Sequence, residues 1–234
     1  MELGGSDAFI VLEDADLEKT VKWAIWGKMN NMGQSCVAAK RFIVVEAVAH
    51  QFLEKFGTAL AALKPGDPMD KSTTLAPLSS EAALIKLLKQ VNQAIVKGAT
   101  VIMGGKRVDR AGAFMQPTIL TNIKTDNPAF YEEFFGPVAL FFRVKNEDEA
   151  VALANDSDYG LGGSVYTKNI SRGKRLASRI DTGMMFINHP TWTAPDLPFG
   201  GIKNSGYGRE LSMLGIQEFV NKKLVRVASI EAPL

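Results

Sequence analysis

The chain has 234 residues, of which 46% are hydrophobic and 22% charged, and its net charge at pH 7 is +2. This composition is typical of a soluble globular protein and excludes the disordered, collagenous and disulfide-scaffold classes. The single cysteine, Cys36, excludes an intramolecular disulfide, and with only two histidines we expect no metal site. The basic residues are scattered, so no nucleic-acid partner is predicted. Without a membrane-length apolar run or a secretory signal, we expect no membrane association and a reduced, cytoplasmic location.

Helix-like and strand-like patterns alternate along most of the chain. This alternation predicts an α/β fold with three αβα layers around a largely parallel sheet. Asp14-Ala-Asp16 supplies capping side chains for a predicted helix that runs to about Met29, and Ser79 or Ser80 can cap another. The predicted helices cover residues 17–29, 47–63, 80–96, 147–155 and 170–180. The predicted strands cover residues 41–45, 100–103, 117–120, 138–144, 164–167 and 183–188.

The last part of the chain changes in character. Residues 190–207 are rich in Pro, Gly, Asn, Ser and Thr, which predicts an extended loop, and a short helix follows Arg209 and Glu210. Residues 224–228 alternate enough to be a terminal strand. Such a strand can pair with another subunit or lie along an edge of its own sheet, and the sequence leaves both open.

Cys36 is the residue that points most directly to chemistry. No glycine fingerprint for a dinucleotide or a P-loop occurs, and the runs at 160–163 and 200–201 are predicted turns. Cys36 follows Gly33-Gln-Ser just beyond a predicted helix end, where the chain turns. From the residues alone, it is either a small buried apolar side chain or a thiolate nucleophile for a carbonyl carbon.

Four motifs, correct in order and spacing, resemble the aldehyde dehydrogenase superfamily over essentially the whole chain. They are Glu2-Leu-Gly-Gly5, Gly33-Gln-Ser-Cys36, Glu132-Glu-Phe-Phe-Gly-Pro-Val138, and Pro198 to Gly206 with Gly208-Arg-Glu210. The resemblance is to the C-terminal, catalytic half of such an enzyme. It implies that residues 1–215 form the catalytic domain and residues 216–234 a tail that pairs subunits of a homo-oligomer. It also implies that the N-terminal cofactor-binding domain is absent from this chain.

The resemblance assigns roles to four side chains. Cys36 resembles the nucleophile, which attacks an aldehyde to give a thiohemiacetal and then a thioester. The oxyanion donors would be the Cys36 N–H and an asparagine of the absent domain. Glu2 resembles the base that activates water to hydrolyse the thioester. Glu133 resembles the residue that binds the nicotinamide ribose of NAD or NADP, and Phe135 the residue that packs beside the nicotinamide.

The motifs look most like those of bacterial succinate-semialdehyde dehydrogenases, which we prefer to a broad aldehyde specificity. That substrate carries a carboxylate, which calls for an arginine or several donors. Some members of the group have an arginine six residues before the nucleophile, where this chain has Asn30. Candidate donors are Ser35, Thr191 and Thr193, or an arginine from outside the chain. Phe199 is a candidate for the wall of a substrate tunnel.

Two other hypotheses remain open. One is that the chain is an inactive folded fragment or interaction module without a cofactor site of its own. On that ground we expect the isolated chain to show neither NAD(P)-dependent oxidation nor dinucleotide binding. A thiol hydrolase would need a histidine close to Cys36, and His189 is the candidate.

Overall fold

The computed structural model describes residues 1–231, and its centre is a seven-stranded sheet. The described residues form nine strands, seven of them in this sheet. They are β1 (Asp7–Val11), β2 (Ala39–Val45), β3 (Thr100–Met103), β4 (Thr118–Thr121), β5 (Val138–Val144), β6 (Tyr159–Gly160), β7 (Gly163–Tyr166), β8 (Phe186–Ile187) and β9 (Ile202–Lys203). The sheet order is β3-β4-β5-β2-β1-β7-β8, with β6 and β9 forming a separate antiparallel pair. Every neighbouring pair in the large sheet is parallel except β3 and β4. The predicted α/β fold with a largely parallel sheet is confirmed.

Helices flank this sheet and begin where polar caps occur in the sequence. They are α1 (Leu17–Met29), α2 (Glu46–Ala61), α3 (Glu81–Val96), α4 (Glu147–Asn155), α5 (Ile170–Ala177) and α6 (Ser212–Gln217). The Asp16 side chain accepts from the N–H of Lys19, and the Ser80 hydroxyl accepts from that of Ala83. Each bond satisfies one backbone donor that a helix start leaves without a partner. The predicted starts of α1 and α3 are therefore confirmed.

The sequence prediction missed the central strand β1. Its five residues are all buried, and it pairs with β2 on one side and β7 on the other. A strand covered on both faces shows no alternation of apolar and polar residues, which is the usual strand signal. At the other end of the chain, the strand predicted over residues 183–188 is shorter than expected, because only Phe186–Ile187 pairs with β7.

Aromatic rings in tilted and stacked pairs fill the core beside the central strands. The ring of Phe9 lies 5.0 Å from that of Phe42 and 4.2 Å from that of Tyr166, measured between centroids. Phe52 and Phe56 of α2 extend the cluster, and both are fully buried. Large rings at these offsets contribute packing energy beyond their buried area. They make the three central strands a rigid base for the segments that lead into them.

The segments that carry the predicted chemistry all enter the sheet at the same edge. Glu2 precedes β1, Cys36 precedes β2 and Glu133 precedes β5, and these three strands are adjacent and parallel. Their amino ends therefore meet. Open α/β sheets more often place ligands beyond the carboxyl ends of their strands. Here the amino edge brings together residues that lie 131 positions apart in sequence, from 2 to 133.

Asp7 is a fully buried carboxyl group at this amino edge. It accepts hydrogen bonds from the Thr191 hydroxyl at 2.7 Å and from the Gly162 N–H at 3.1 Å. Burial raises the pKa of Asp7 from about 3.8 to about 6, despite the opposing effect of Lys40 and Arg41 nearby. Since the folded chain holds this proton more tightly than the unfolded chain, Asp7 favours folding most below pH 4. That contribution is lost as the pH rises through 6.

Replacing Asp7 with asparagine should change how stability depends on pH. The asparagine stays neutral, so the unfolding free energy of D7N relative to the parent should rise by about 2 kcal/mol between pH 4 and pH 8. Thermal or urea unfolding at several pH values measures this difference. A D7N-minus-parent difference that stays constant over this range would show that Asp7 is not held protonated by the fold.

The C-terminal strand predicted over residues 224–228 does not form in this chain. Residues 221–229 are neither helix nor strand, and the side chains of Leu224 and Val227 are 89% and 93% exposed. A strand needs a partner for its backbone groups, and residues 1–231 offer this segment none. The end of the predicted tail, residues 232–234, lies outside the described residues. Within residues 1–231, no helix has both the length and the apolar character that crossing a membrane requires.

Candidate active site

Cys36 lies on a sharply turned loop between α1 and β2. A short 3-10 turn, Asn30–Gly33, follows α1, and within it Asn31, Met32 and Gly33 all have positive φ angles. Gly33 packs so closely against the turn before β5 that a Cβ on it would overlap the carbonyl oxygen of Gly136. Only glycine combines this φ of +72° with this close approach at no steric cost. The loop that carries Cys36 therefore packs tightly against the segment that carries Glu133.

Replacing Gly33 with alanine should disturb this loop. We expect a loss of about 3 kcal/mol in unfolding free energy, from the unfavourable φ and the overlap with Gly136 together. Gly98 provides the matched control, because it also has a positive φ but a Cβ there meets nothing within 4 Å. Urea unfolding of the two variants measures the difference, and equal losses would show that the close approach at Gly33 is not important.

Glu2 contacts the thiol of Cys36 directly. The sulfur donates to Glu2 Oε1 across 2.6 Å. The sequence alone would describe position 2 as a solvated terminus, but Glu2 pairs with Gly206, and the N–H of Leu3 donates to the Ser205 carbonyl at 3.0 Å. The loop after β9 thus holds the first residues in place by backbone pairing, and the Glu2 carboxylate is oriented toward the sulfur.

This arrangement stabilises the protonated thiol. Burial raises the pKa of Cys36 to about 12, and the hydrogen bond and negative charge of Glu2 act in the same direction. Lys40 opposes them, with a smaller effect. A thiol must lose its proton to become a nucleophile. The neighbouring carboxylate is the group placed to receive that proton.

Lys40 joins the Cys36 loop to Glu133. Its side chain is fully buried, and Nζ donates to the carbonyls of Ser35 at 2.9 Å and of Cys36 at 2.8 Å. The same Nζ lies 3.2 Å from Glu133 Oε1, which also accepts from the N–H of Gly5. The ammonium therefore connects the Cys36 loop to Glu133, and Glu133 in turn connects to the first segment through Gly5. Sequence reasoning missed this residue.

Glu133 and Phe135 line a cleft beside the loop that carries Cys36. Phe135 is 48% exposed, and Tyr159 and Lys86 lie along the same cleft. Glu133 Oε1 is held by Lys40 and Gly5, while the side chain keeps partial access to solvent. The cleft thus presents a carboxylate, an aromatic face and a cation in one opening.

A cavity of about 440 Å³ opens beside Cys36 and Glu2. The predicted substrate residues Ser35, Asn30 and Phe199 all line it. Of the two threonines proposed as donors, both line the cavity, but the hydroxyl of Thr191 is already donated to Asp7. None of the side chains that line this cavity within residues 1–231 is an arginine. Unpredicted walls come from Trp26 of α1 and from Trp192, Glu210 and Leu211.

His189 does not pair with the thiol. It lies in an aromatic cluster, with its ring 4.4 Å from Trp23 and 6.1 Å from Trp26, measured between centroids. Its Nδ1 is 2.7 Å from the carbonyl oxygen of Pro190. The thiol contacts a carboxylate instead, so this geometry does not fit a cysteine–histidine hydrolase.

Comparisons with known proteins agree with this fold and motif set. Residues 1–225 match the model of the aldehyde dehydrogenase family. The chain is 57% identical over 226 residues to a succinate-semialdehyde dehydrogenase [NADP(+)] of Deinococcus radiodurans, covering 97% of this chain and 47% of that protein. It is 49% identical to a probable succinate-semialdehyde dehydrogenase [NADP(+)] of Synechocystis, covering 97% of this chain and 50% of that one.

A solved structure shows the same relationship. The succinic semialdehyde dehydrogenase from Streptococcus pyogenes, in complex with NADP+, superposes with a TM-score of 0.94 at 46% identity. The alignment covers 97% of this chain and 50% of that one. The chain spans about half the length of the curated relatives it matches. It belongs to the aldehyde dehydrogenase family.

Proposed function

We propose that this chain is the catalytic part of an NADP-dependent aldehyde dehydrogenase that converts an aldehyde, preferably succinate semialdehyde, to the acid. The observation that carries the proposal is the 2.6 Å contact between the Cys36 sulfur and the Glu2 carboxylate at the wall of a cavity. The names of the relatives from Deinococcus radiodurans and Synechocystis support both the substrate and the coenzyme.

The Cys36–Glu2 pair accounts for the attack on the aldehyde. Glu2 takes the thiol proton, and the sulfur forms a bond to the aldehyde carbon while the carbonyl electrons move to oxygen. The backbone N–H of Cys36 can donate a hydrogen bond to this oxygen. Oxidation of the resulting thiohemiacetal to a thioester requires a hydride acceptor, which is the chemistry NADP supplies when bound.

Glu2 also serves the second half of the reaction. The proton that Glu2 took from the thiol passes to solvent, so that Glu2 is again a carboxylate once the sulfur carries an acyl group. It can then accept a proton from a water molecule that attacks the thioester carbon. The carbon–sulfur bond breaks, the acid leaves and the sulfur regains a proton. One carboxylate within reach of one sulfur is sufficient for both steps.

The cleft of Glu133 and Phe135 fits the nicotinamide end of a dinucleotide. The carboxylate of Glu133 can accept bonds from sugar hydroxyls, and the exposed ring of Phe135 offers a flat apolar surface to the nicotinamide. Lys40 and Gly5 fix one carboxylate oxygen, which sets the orientation of the other. The preference for NADP over NAD rests on the relatives alone.

Neutral donors in the cavity are suited to the carboxylate of succinate semialdehyde. Ser35, Asn30 and Thr193 line the cavity wall, while Thr191 is bonded to Asp7. Hydrogen bonds from neutral groups to an anion are charge-assisted and stronger than bonds between neutral groups. Such donors can recognise the carboxylate without an arginine from this chain.

Substrate comparison tests the proposal. A protein that carries this chain together with a coenzyme-binding domain should oxidise succinate semialdehyde with NADP, at a kcat/KM at least about tenfold above that for butanal. The isolated chain should show no NADP-dependent oxidation. In the protein with both domains, equal kcat/KM values for the two aldehydes would refute the substrate preference. A lack of activity of that protein on any aldehyde would refute the dehydrogenase proposal.

We also propose a cytoplasmic homo-oligomer assembled in part through the tail. The apolar side chains of Phe219, Leu224 and Val227 are almost fully exposed, and such a patch is typical of a surface that another chain covers. Light scattering should give a smaller assembly when residues 216–234 are removed. An unchanged mass would assign assembly to another surface.

A further inference from the structure

A buried cation donates a hydrogen bond to the carbonyl oxygen of the Ser35–Cys36 peptide. Lys40 Nζ donates to the Ser35 oxygen at 2.9 Å, and the Ala38 N–H donates to the same oxygen at 3.2 Å. In a planar trans peptide, the C=O and the following N–H point in opposite directions. The N–H of Cys36 is therefore directed away from Lys40, and among residues 1–231 it has no hydrogen-bond acceptor.

We propose that Lys40 is a positioning residue that orients and polarises the Ser35–Cys36 peptide, so that the Cys36 N–H binds the oxyanion formed at the substrate carbonyl. This inference rests on the proposed function, because it takes Cys36 as the nucleophile. A positive charge at the carbonyl oxygen draws electron density from the amide and strengthens its N–H as a donor. Lys40 thereby acts on the transition state through the backbone, without touching substrate.

The surroundings of Lys40 suit a fixed charge. Its ammonium is fully buried and has the carbonyls of Ser35 and Cys36 and the carboxylate of Glu133 within 3.2 Å. A buried ammonium is tolerated only with such a full set of acceptors. Lys28 differs sharply. It is also buried, yet its Nζ has no partner among the described residues, and burial lowers its pKa well below the usual range.

Two reactions of Cys36 separate an oxyanion effect from a general loss of structure. With p-nitrophenyl acetate, the sulfur bonds to the ester carbon, the carbonyl electrons move to oxygen, and p-nitrophenolate leaves as the thioester forms. Glu2 receives the thiol proton. With iodoacetamide, the sulfur displaces iodide and no oxyanion develops. Both reactions need the same thiolate, but only the first needs the Cys36 N–H as a donor.

The test uses Lys40→Met in this chain, with Lys28→Met as the matched control. We expect Lys40→Met to lower the acylation rate about tenfold more than the alkylation rate, since loss of a whole oxyanion donor costs roughly a hundredfold or more. Lys28→Met should leave the ratio of the two rates unchanged. Lys40→Arg, which keeps the charge, should recover part of the loss.

The outcomes are distinguishable. If Lys40→Met lowers both rates equally, Lys40 has only a structural role and the inference is wrong. If circular dichroism shows that Lys40→Met does not fold, Lys40→Gln replaces it, and an unchanged ratio in that variant is equally contradictory. If Cys36→Ala is acylated as fast as the parent chain, the proposed nucleophile itself fails, whatever happens at Lys40.

Discussion

Replacing Cys36 with alanine is expected to lower aldehyde oxidation at least about ten-thousandfold in a protein that carries this chain and a coenzyme-binding domain. The thiol is the group that forms the covalent bond to the substrate, and alanine leaves nothing at the cavity wall to replace it. Steady-state kinetics with succinate semialdehyde measures the loss. The thermal midpoint should change little, because Cys36 is only half-buried.

A smaller loss would contradict the assignment. If Cys36→Ala keeps more than about one per cent of the activity, then the thiol does not carry the main reaction path. Ser35→Ala is the neighbouring control, since Ser35 lines the same cavity one residue away. Its kcat should fall far less than that of Cys36→Ala, with any effect appearing mainly in KM for a carboxylate-bearing aldehyde.

Replacing Glu2 with glutamine is expected to affect two reactions in opposite directions. Alkylation of Cys36 by iodoacetamide at pH 8 should become about tenfold faster, because the half-buried thiol can also release its proton directly to solvent and the carboxylate that helps to raise its pKa has lost its charge. Hydrolysis of a thioester on Cys36 should become at least about a hundredfold slower, because the base is gone. Glu132→Gln is the control, since Glu132 bonds to Gln90 and not to the thiol.

The pH dependence of the alkylation rate tests independently whether Glu2 raises the pKa of the Cys36 thiol. In the parent chain, alkylation should accelerate steadily as the pH rises from 8 toward the thiol pKa of about 12. In Glu2→Gln, the profile should shift to lower pH, although burial, the largest cause, still holds the pKa above its ordinary value. Superimposable profiles would show that the Cys36–Glu2 contact does not control the thiol.

Local signals predicted much of the fold. The caps at Asp16 and Ser80 fixed two helix starts, and the β-branched run over residues 41–45 marked most of β2. β1 was missed because a short strand buried on both faces has no periodic signal. The tail over residues 224–228 has a strand-like pattern, but a pattern cannot supply the neighbouring strand that pairing requires.

The candidate site was predicted less evenly. The resemblance to aldehyde dehydrogenases pointed to Cys36 and Glu2, and the structure places them in contact. Lys40 was missed, because its importance comes from Glu133, 93 positions further along the chain, and from carbonyls that no side-chain pattern reveals. A lysine next to Arg41 at the start of an apolar strand was the available signal. Lysine and arginine side chains are rarely fully buried unless they are paired.

Acylation of the chain by p-nitrophenyl acetate, followed by peptide mass spectrometry, tests the central claim most directly. The claim is that Cys36 and Glu2 form a complete nucleophile and base within this chain. We expect a burst of p-nitrophenolate, with the acetyl group on Cys36, where it is cleared in the parent chain and persists in Glu2→Gln. An acetyl group found only on lysines, or one cleared equally fast in both proteins, would contradict the account.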